Sequence, residues 1–453
     1  MNFLRTSLAA ALAVAAVPAS ALPLTHAFNL RLDVSGATAQ EASLVLAMVD
    51  ICDQTDLDVW FQGNHQVVTC TINAAGAPLN GQTVIMRKSG VGGSGNGIAP
   101  VFQQTGVPFA TDAAWGTCTT TTATTRTVSS GTKTFNTRSG CTITTAARVP
   151  GAGLSDVEPR LFANEFGAAA VTPGTGDRVI GTSALAFGVV ATTTLRNAMQ
   201  AVQGLTVGSD DVAQMPSIST AELASVLTGN LGLANQLAGA PAVVAAGGAI
   251  DLARRVNTSG SQKIAEVALL NQGCASGVSL MQDTAGLNGF GGTVSLGSGT
   301  SDLLNALRDA NLAGRAGIGF VSTESAPNVN VKYLKIDGFA PSIEHVINGN
   351  YRFFSMNAAT LDGSVTGDRA ALFDALTARL SASPTIQASN AAFNRVSWQG
   401  GFVGGFPALL AGGLPDARPV SLTVARGNPV FAASKDTFGA GSLNNCDSTQ
   451  LAQ

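Results

Sequence analysis

The chain has 453 residues, which is enough for two or three domains with a sizeable hydrophobic core. Charged residues make up 12% of the chain, about half the usual share, while 45% of the residues are hydrophobic and 52 are glycine. This composition excludes a disordered chain, a coiled coil and a nucleic-acid-binding module, and the formal net charge of −3 means that a bound anion needs a local site.

The first segment has the composition of a secretory signal peptide. It carries one charge, Arg5, an apolar run over residues 8–17 and the small-residue sequence Ala-Ser-Ala at residues 19–21. A membrane anchor is the alternative, but the apolar run is well short of the ~20 residues that span a bilayer. We predict that residues 1–21 are removed, that no transmembrane segment follows, and that the mature protein is periplasmic or secreted.

The next stretch predicts strands and a helix in alternation. Apolar and polar side chains alternate in the first of these segments, as in a half-buried strand. In the predicted helix, residues 39–51, the side chains of Leu44, Met48 and Ile51 share one face. The predicted strands of this stretch are residues 29–34, 67–72 and 82–86.

The segment over residues 116–141 differs from the rest of the chain. Threonine occupies seven of the ten positions from 117 to 126, and a cysteine lies near each end of the segment. Threonine favours extended structure, so we predict a bridged, exposed β-hairpin inserted in the fold. Its role is either plain decoration or a surface for partners or glycans.

The second half of the chain repeats the mixture of strands and helices. It predicts strands over residues 184–191, 315–321 and 331–336, and helices over residues 219–228 and 261–271. Because no long helical or all-β block occurs, the sequence favours an α/β protein with two lobes.

Six cysteines are consistent with an oxidising compartment, in which an even number usually means disulfides. Pairing of neighbours closes short loops, each worth about 3 kcal/mol against the unfolded chain. Buried free thiols are the alternative, and the absence of a CxxC motif with only three histidines argues against a metal site. The predicted pairs are Cys52 with Cys70 and Cys118 with Cys141, which leaves Cys274 and Cys446 to join distant parts.

Two glycine-containing loops are candidate anion sites. The sequence Ser-Gly-Ala-Thr at residues 35–38 precedes the first helix, whose open amides would attract an anion, although Thr38 could simply cap that helix. The loop over residues 89–97 suits a backbone nest for an oxyanion, with Ser94 as a hydroxyl donor. A structural glycine turn is the alternative, and a dinucleotide fingerprint is disfavoured because the loop is not in a first βαβ unit.

The pair Ser155 and Asp156 predicts a selectivity element. A carboxylate repels a fully ionised ligand but accepts a hydrogen bond from a ligand that carries a proton. Phosphate keeps a proton near neutral pH and sulfate does not, so Asp156 would distinguish the two. A turn or a helix cap is the alternative interpretation of this pair.

The segment over residues 254–261 is the most specific of these signals. The guanidinium of Arg255 can pair two ligand oxygens, while Ser259, Gly260 and Ser261 offer amides and hydroxyls at the start of a predicted helix. The alternative is a solvated arginine followed by a serine cap.

The order of these motifs resembles the phosphate-binding proteins of bacterial phosphate ABC importers, which are type II periplasmic binding proteins. The resemblance covers about residues 29–354 and includes the sequences GAT at 36–38, SGNG at 94–97, SD at 155–156 and RVNTSGS at 255–261. Ser261 stands where that family usually has threonine, and the hairpin segment makes the spacing between Ser94 and Ser155 much longer than in the family.

This resemblance implies a two-lobed periplasmic binding protein type II fold with a hinge near residues 172–178 and 329–335. Lobe 1 would comprise residues 22–173 and 335–453, with an insertion at about 105–150, and lobe 2 residues 174–334. Inorganic phosphate or a similar oxyanion would bind reversibly between the lobes, without a cofactor or metal, for delivery to an ABC permease. The implied ligand-binding residues are Thr38, Ser94 and Asp156 from one lobe and Arg255, Ser259, Gly260 and Ser261 from the other.

Two other classes of function are alternatives to a binding protein. A secreted phosphatase or esterase would need a nucleophile with a base or a metal cluster, and the sequence contains neither GxSxG nor HExxH, so we predict no enzyme. A structural or adhesive surface protein, built on a similar fold without a transport role, is the alternative that the threonine and glycine content favours.

Overall fold

A computed structural model describes residues 22–237, 248–272, 279–283, 291–323, 325, 328–347, 349–393, 397–399, 432–434 and 450–452. The predicted signal peptide, Cys274 and Cys446 lie outside these described residues. None of the helices in the described part of the chain combines the length and the apolar character that a membrane crossing needs.

Strands and helices alternate along most of the chain, which confirms the predicted α/β class. The strands are β1 (Leu30–Gly36), β2 (Asp58–Gln62), β3 (His65–Thr71), β4 (Thr83–Ser89), β5 (Val107–Ala110), β6 (Cys118–Val128), β7 (Gly131–Cys141), β8 (Thr145–Arg148), β9 (Ala152–Ser155), β10 (Arg178–Thr192), β11 (Ser217–Ile218), β12 (Ile250–Arg255), β13 (Val294–Gly297), β14 (Ala316–Ser322), β15 (Val331–Tyr333), β16 (Lys335–Ile336), β17 (Phe354–Leu361), β18 (Ser397–Gln399), β19 (Ala432–Ser434) and β20 (Gln450–Ala452). The helices are α1 (Glu41–Ile51), α2 (Ala99–Phe102), α3 (Ala163–Phe166), α4 (Thr193–Val202), α5 (Thr220–Leu227), α6 (Gly260–Leu270), α7 (Thr300–Leu312), α8 (Ile343–Ile347), α9 (Gly367–Leu380) and α10 (Ser383–Phe393).

Most strands belong to one mixed sheet in the order β13-β12-β14-β10-β17-β9-β1-β4-β3-β2-β7-β6. We call β9, β1, β4, β3, β2, β7 and β6 the first strand group, and β12, β13 and β14 the second strand group. The long strand β10 joins them: its first half pairs with β17, which pairs with β9, and its second half pairs with β14. A shift of register between Gly181 and Ala184 lies within the half that pairs with β17.

The parallel strands of both groups place the sequence motifs at strand ends. In the first strand group, β1 runs parallel to β4 and β9, so the loops that follow these three strands leave the same edge of the sheet. In the second strand group, β12 runs parallel to β13 and β14 and ends at Arg255. Ligands of open α/β sheets bind outside the carboxyl ends of parallel strands, which is where these motifs lie.

Each strand group has its own apolar core. Leu44, Met48 and Ile51 of α1 are buried against the first strand group together with Leu372 and Leu376 of α9. The apolar face that helical periodicity predicted for α1 is therefore the face that packs against the sheet. The core around β10 and β14 is more aromatic and contains Phe187, Phe320, Phe353 and Phe354.

The threonine-rich segment forms the predicted bridged hairpin, β6 and β7. Its inner strand β7 pairs in parallel with β2 and buries Phe135, so the hairpin extends the main sheet, while most of β6 is exposed. The Cys118–Cys141 disulfide closes the hairpin, and the Cys52–Cys70 disulfide ties the end of α1 to β3. Both pairings are the ones that neighbour pairing predicts.

The remaining predicted elements are confirmed with one correction. Residues 331–336 form two short strands rather than one, because β15 pairs with β10 whereas β16 pairs with β11. The lobe boundaries and hinges predicted from the sequence remain predictions.

Candidate anion-binding site

Three loops leave the carboxyl ends of β1, β4 and β9 and pack against each other at glycines. A Cβ atom at Gly36 would lie 2.1 Å from the carbonyl oxygen of Leu154, and a Cβ atom at Gly153 would lie 2.0 Å from the carbonyl oxygen of Gly97. Gly36 also has a φ of +106°, which L side chains rarely adopt. Glycine is therefore required for the close contact of the loops that carry Thr38, Ser94 and Asp156.

Ser94 and Asp156 form a buried hydrogen-bonded pair, although they are distant in the sequence. The Ser94 hydroxyl donates to Oδ2 of Asp156 at 3.1 Å and accepts from the backbone N–H of Asp156, also at 3.1 Å. The side-chain amide of Gln40 donates to Oδ1 of Asp156 at 3.4 Å. The side chains of all three residues are nearly inaccessible to solvent, so this carboxylate depends on its hydrogen-bond donors for stabilisation.

The start of α6 from the second strand group lies directly against this pair. A Cβ atom at Gly260 would be 2.4 Å from Oγ of Ser94 and 2.7 Å from Cβ of Asp156. The backbone N–H of Gly95 donates to the carbonyl oxygen of Thr258 at 2.8 Å, so the two loops are also joined by a backbone hydrogen bond. The first amides of a helix have no intrahelical partner and carry its positive dipole, so α6 offers donors at this junction.

Hydroxyl groups near the junction are not used for helix capping. Thr38 begins a short 3-10 helix, and the cap of α1 is Gln40, so the alternative interpretation of Thr38 as a side-chain cap is wrong. Ser259 occupies the N-cap position of α6 but makes no side-chain cap hydrogen bond. Within the described residues, the hydroxyls of Thr38, Ser259 and Ser261 have no hydrogen-bond partner, which leaves them available to a ligand.

Arg255 is buried at the end of β12, and it holds a neighbouring loop. Its guanidinium donates to the carbonyl oxygens of Gly297 at 3.2 Å and Ser298 at 2.8 Å, and to the hydroxyl of Thr300 at 3.4 Å. Burial lowers the pKa of Arg255 to about 10, and the negative charge of Asp156 opposes that shift. Arg255 therefore stays protonated near neutral pH and supplies positive charge to the junction.

Sequence reasoning missed two charged residues at this site, Lys88 and Glu41. Lys88 is the penultimate residue of β4, and its Nζ donates to the carbonyl oxygens of Gly36 at 2.8 Å and Ser89 at 3.1 Å and to Oε1 of Glu41 at 3.4 Å. Burial lowers the pKa of Lys88 and raises the pKa of Glu41 to about 7, while the attraction between the two groups opposes both shifts. The missed signal is a lysine at the end of a buried strand, directly before a glycine-rich loop.

Charged groups of both signs meet at the junction. Lys88 and Arg255 are positive, and Glu41 and Asp156 are negative, when all four groups are ionised. Asp302 adds a third negative charge that also acts on Arg255, so protonation of Glu41 would leave two positive and two negative charges. Amide and hydroxyl donors beside charged groups are the features that anion-binding sites use.

The structure brings most of the sequence-predicted residues to one junction. Ser94, Asp156 and Gly260 are in direct contact, and a Cβ atom at Gly93 would lie 3.1 Å from Cα of Ser259. Ser261 follows Gly260 in α6. The guanidinium of Arg255 interacts electrostatically with the carboxylate of Asp156. Thr38 lies beside Gly90, at the start of the loop that carries Ser94.

Comparison with known proteins gives similarities in fold only. No protein-family model matches the chain. No curated protein matches it in sequence either.

Several solved structures are similar to the chain. A structure with bound phosphate from Clostridium perfringens, described as a phosphate ABC transporter substrate-binding protein, is 12% identical with a TM-score of 0.46, and the match covers 81% of this chain and 98% of that one. An ABC-type phosphate transport receptor from Vibrio cholerae is 11% identical with a TM-score of 0.42 over 81% and 99% of the two chains. PstS from Borrelia burgdorferi is 11% identical with a TM-score of 0.38 over 81% and 98%.

Proposed function

We propose that this chain is an extracytoplasmic solute-binding protein that reversibly binds inorganic phosphate, or a similar oxyanion, between the two strand groups. In this proposal it has a type II periplasmic binding protein fold, catalyses no reaction and delivers its ligand to an ABC permease. The two disulfides support a location outside the cytoplasm, because such bonds persist in oxidising compartments.

The observation that carries the proposal is the contact between the Ser94–Asp156 pair and the start of α6. The pair follows strands β4 and β9 of the first strand group and Gly260 follows β12 of the second, so a ligand at this junction would touch residues from both sides. Hydrogen bonds from charged or dipolar donors are worth about 1.5 to 3 kcal/mol each, and several of them can offset the dehydration of an oxyanion. Ligand contacts to both sides would favour the arrangement in which the two sides meet.

Asp156 is the residue that makes the proposed ligand phosphate rather than sulfate. A buried carboxylate repels a fully ionised anion, whereas a protonated phosphate oxygen donates a hydrogen bond to it. We expect calorimetry on the mature protein near pH 7 to give at least about tenfold tighter binding of phosphate than of sulfate, which corresponds to one lost hydrogen bond plus repulsion.

The Asp156→Asn variant tests this role directly. The amide keeps the size of the side chain but removes the charge, so discrimination between phosphate and sulfate should fall by about tenfold or more. Asp309→Asn, on the exposed surface of α7, is the matched control and should leave both titrations unchanged. Equal binding of the two anions by the unmodified protein, or no phosphate binding, would contradict the proposed function.

A further inference from the structure

A cavity lies next to the candidate anion-binding site, between α1, β2 and the hairpin. We call it the hairpin cavity. Its volume is about 410 Å³, and its walls include Val45 and Leu46 of α1, Val59 and Phe61 of β2, and Phe135 of β7. Cavities of this size with mostly apolar walls and a few polar groups are typical of small-molecule sites. Phe61 is 41% exposed, so an aromatic face is open to an occupant.

Two residues connect the hairpin cavity with the anion-binding site. Thr38 and Glu41 line the cavity, and both would be in contact with a Cβ atom at Gly90, which begins the loop that leads to Ser94. Glu41 also interacts electrostatically with Asp156. Thr38 and Glu41 therefore form the shared boundary of the two regions.

Inorganic phosphate is too small to occupy both regions, and it has no apolar surface to bury against Val59 or Phe61. The hairpin, which supplies Phe135 to the cavity wall, would have no part in binding such a ligand. The two adjoining regions instead match a molecule with an oxyanion at one end and an apolar group at the other.

We propose that the ligand is an organic phosphonate whose acid group lies at the anion-binding site and whose alkyl or aryl group lies in the hairpin cavity. This inference rests on the proposed function and narrows its class of ligand. A phosphomonoester loses its second proton with a pKa of about 6. Carbon withdraws less electron density from phosphorus than an ester oxygen does, so a phosphonate keeps that proton closer to neutral pH and can donate it to Asp156.

Calorimetry near pH 7 on the mature protein tests the inference with three probes: phenylphosphonate, phenyl phosphate and inorganic phosphate. Burial of the ring should make phenylphosphonate bind at least about tenfold tighter than inorganic phosphate. Phenyl phosphate should bind more weakly than phenylphosphonate, because most of it has no proton for Asp156.

The Ala42→Leu variant fills the hairpin cavity from α1 and keeps a residue of high helix propensity. It should abolish the preference for phenylphosphonate and leave the affinity for inorganic phosphate within about twofold. Ala378→Leu, at an exposed position of α9, is the matched control and should keep the preference.

The outcomes separate the inference from the proposed function. If inorganic phosphate binds as tightly as phenylphosphonate, the inference is overturned and the proposed function stands, whereas absence of binding by all three probes overturns both. If Ala42→Leu does not fold, saturation-transfer NMR on the unmodified protein decides. The ring protons of bound phenylphosphonate should receive saturation from the methyl groups of Val45 and Val59, and binding without that transfer overturns the inference.

Discussion

At the scale of single residues, the charge state of Glu41 depends on its burial beside Lys88. The Glu41 carboxylate accepts from Nζ of Lys88 at 3.4 Å and from the amide of Gln66 at 3.2 Å, and the charges of Arg255 and Asp156 also act on it. Loss of solvation nevertheless dominates and raises its pKa from 4.5 to about 7. The folded protein therefore binds a proton at Glu41 more tightly than the unfolded chain does.

This shift predicts a pH dependence of stability. Between about pH 4.5 and 7 the folded state holds more protons at Glu41 than the unfolded state, so the contribution of this group to stability falls as the pH rises through that window. In Glu41→Gln, the difference in unfolding free energy between pH 5 and pH 8 should change by an amount on the order of 2 kcal/mol in favour of pH 8. Urea titrations at the two pH values measure this difference.

The control for Glu41 is a carboxylate without a buried partner. Glu344→Gln, at an exposed position of α8, should leave the pH dependence as it is in the unmodified protein. If the unfolding free energies of Glu41→Gln and Glu344→Gln depended on pH in the same way, the raised pKa of Glu41 would be contradicted.

The site residues that could be predicted from the sequence are those in motifs with a local signature. Ser94, Asp156 and Gly260 stand out because glycines, a hydroxyl and an acid occur beside predicted strands and helices. Lys88 and Glu41 have no such signature, since a single charged residue usually indicates a solvated surface. Their partnership spans 47 positions of the chain and becomes visible only when β1, β4 and α1 are packed.

At the scale of elements, the hairpin β6–β7 combines an exposed strand with a strand that belongs to the main sheet. The Cys118–Cys141 disulfide fixes the open end of the hairpin, and β7 is further held by β2. The outer strand β6 therefore depends on the disulfide and on β7 for most of its order.

Removal of this disulfide should loosen β6 selectively. In Cys118→Ser/Cys141→Ser, the amides of β6 should exchange with solvent at least about tenfold faster, while those of β1 and β4 keep their protection. Hydrogen exchange followed by mass spectrometry measures both. Cys52→Ala/Cys70→Ala serves as the comparison, because that disulfide links the end of α1 to β3. Its loss should destabilise the apolar core of the first strand group instead of β6. Unchanged protection of β6 would show that the pairing with β7 suffices.

Elements with a strong local pattern were predictable, and elements defined by long-range pairing were not. The alternation in residues 29–34 identified β1, and helical periodicity identified α1. Strand β10 was predicted only over residues 184–191, because residues 178–181 are less buried and pair with a strand more than 170 positions away. Helix α9 was missed although Leu372, Leu376 and Leu380 recur at helical spacing.

At the scale of the whole molecule, the contact between the strand groups depends on the absence of a side chain at Gly260. The distances of 2.4 Å and 2.7 Å from its Cβ position to Ser94 and Asp156 leave no room for a methyl group. Alanine has a higher helix propensity than glycine, so the substitution should not weaken α6 itself. The substitution should instead prevent the start of α6 from lying against Ser94 and Asp156.

We expect Gly260→Ala to lower phosphate affinity by at least about tenfold, because the contacts from the two groups can no longer form together. The melting temperature without ligand should also fall, because the added methyl group has no room beside Ser94 and Asp156. Gly174→Ala is the matched control, since a Cβ atom there would meet only the carboxylate of Asp177 at 3.2 Å. Calorimetry and thermal melts of the two variants make the comparison, and unaltered phosphate affinity in Gly260→Ala would place the ligand elsewhere.

The glycine contacts among the loops after β1, β4 and β9 have a consequence for the thermodynamics of recognition. Backbone atoms of Gly36, Gly97 and Leu154 touch without intervening side chains, so these loops have lost their conformational entropy before any ligand arrives. A preorganised half-site of this kind needs little reordering on association. Ordering of the chain on ligand binding should therefore be concentrated in the other part of the site, at the start of α6.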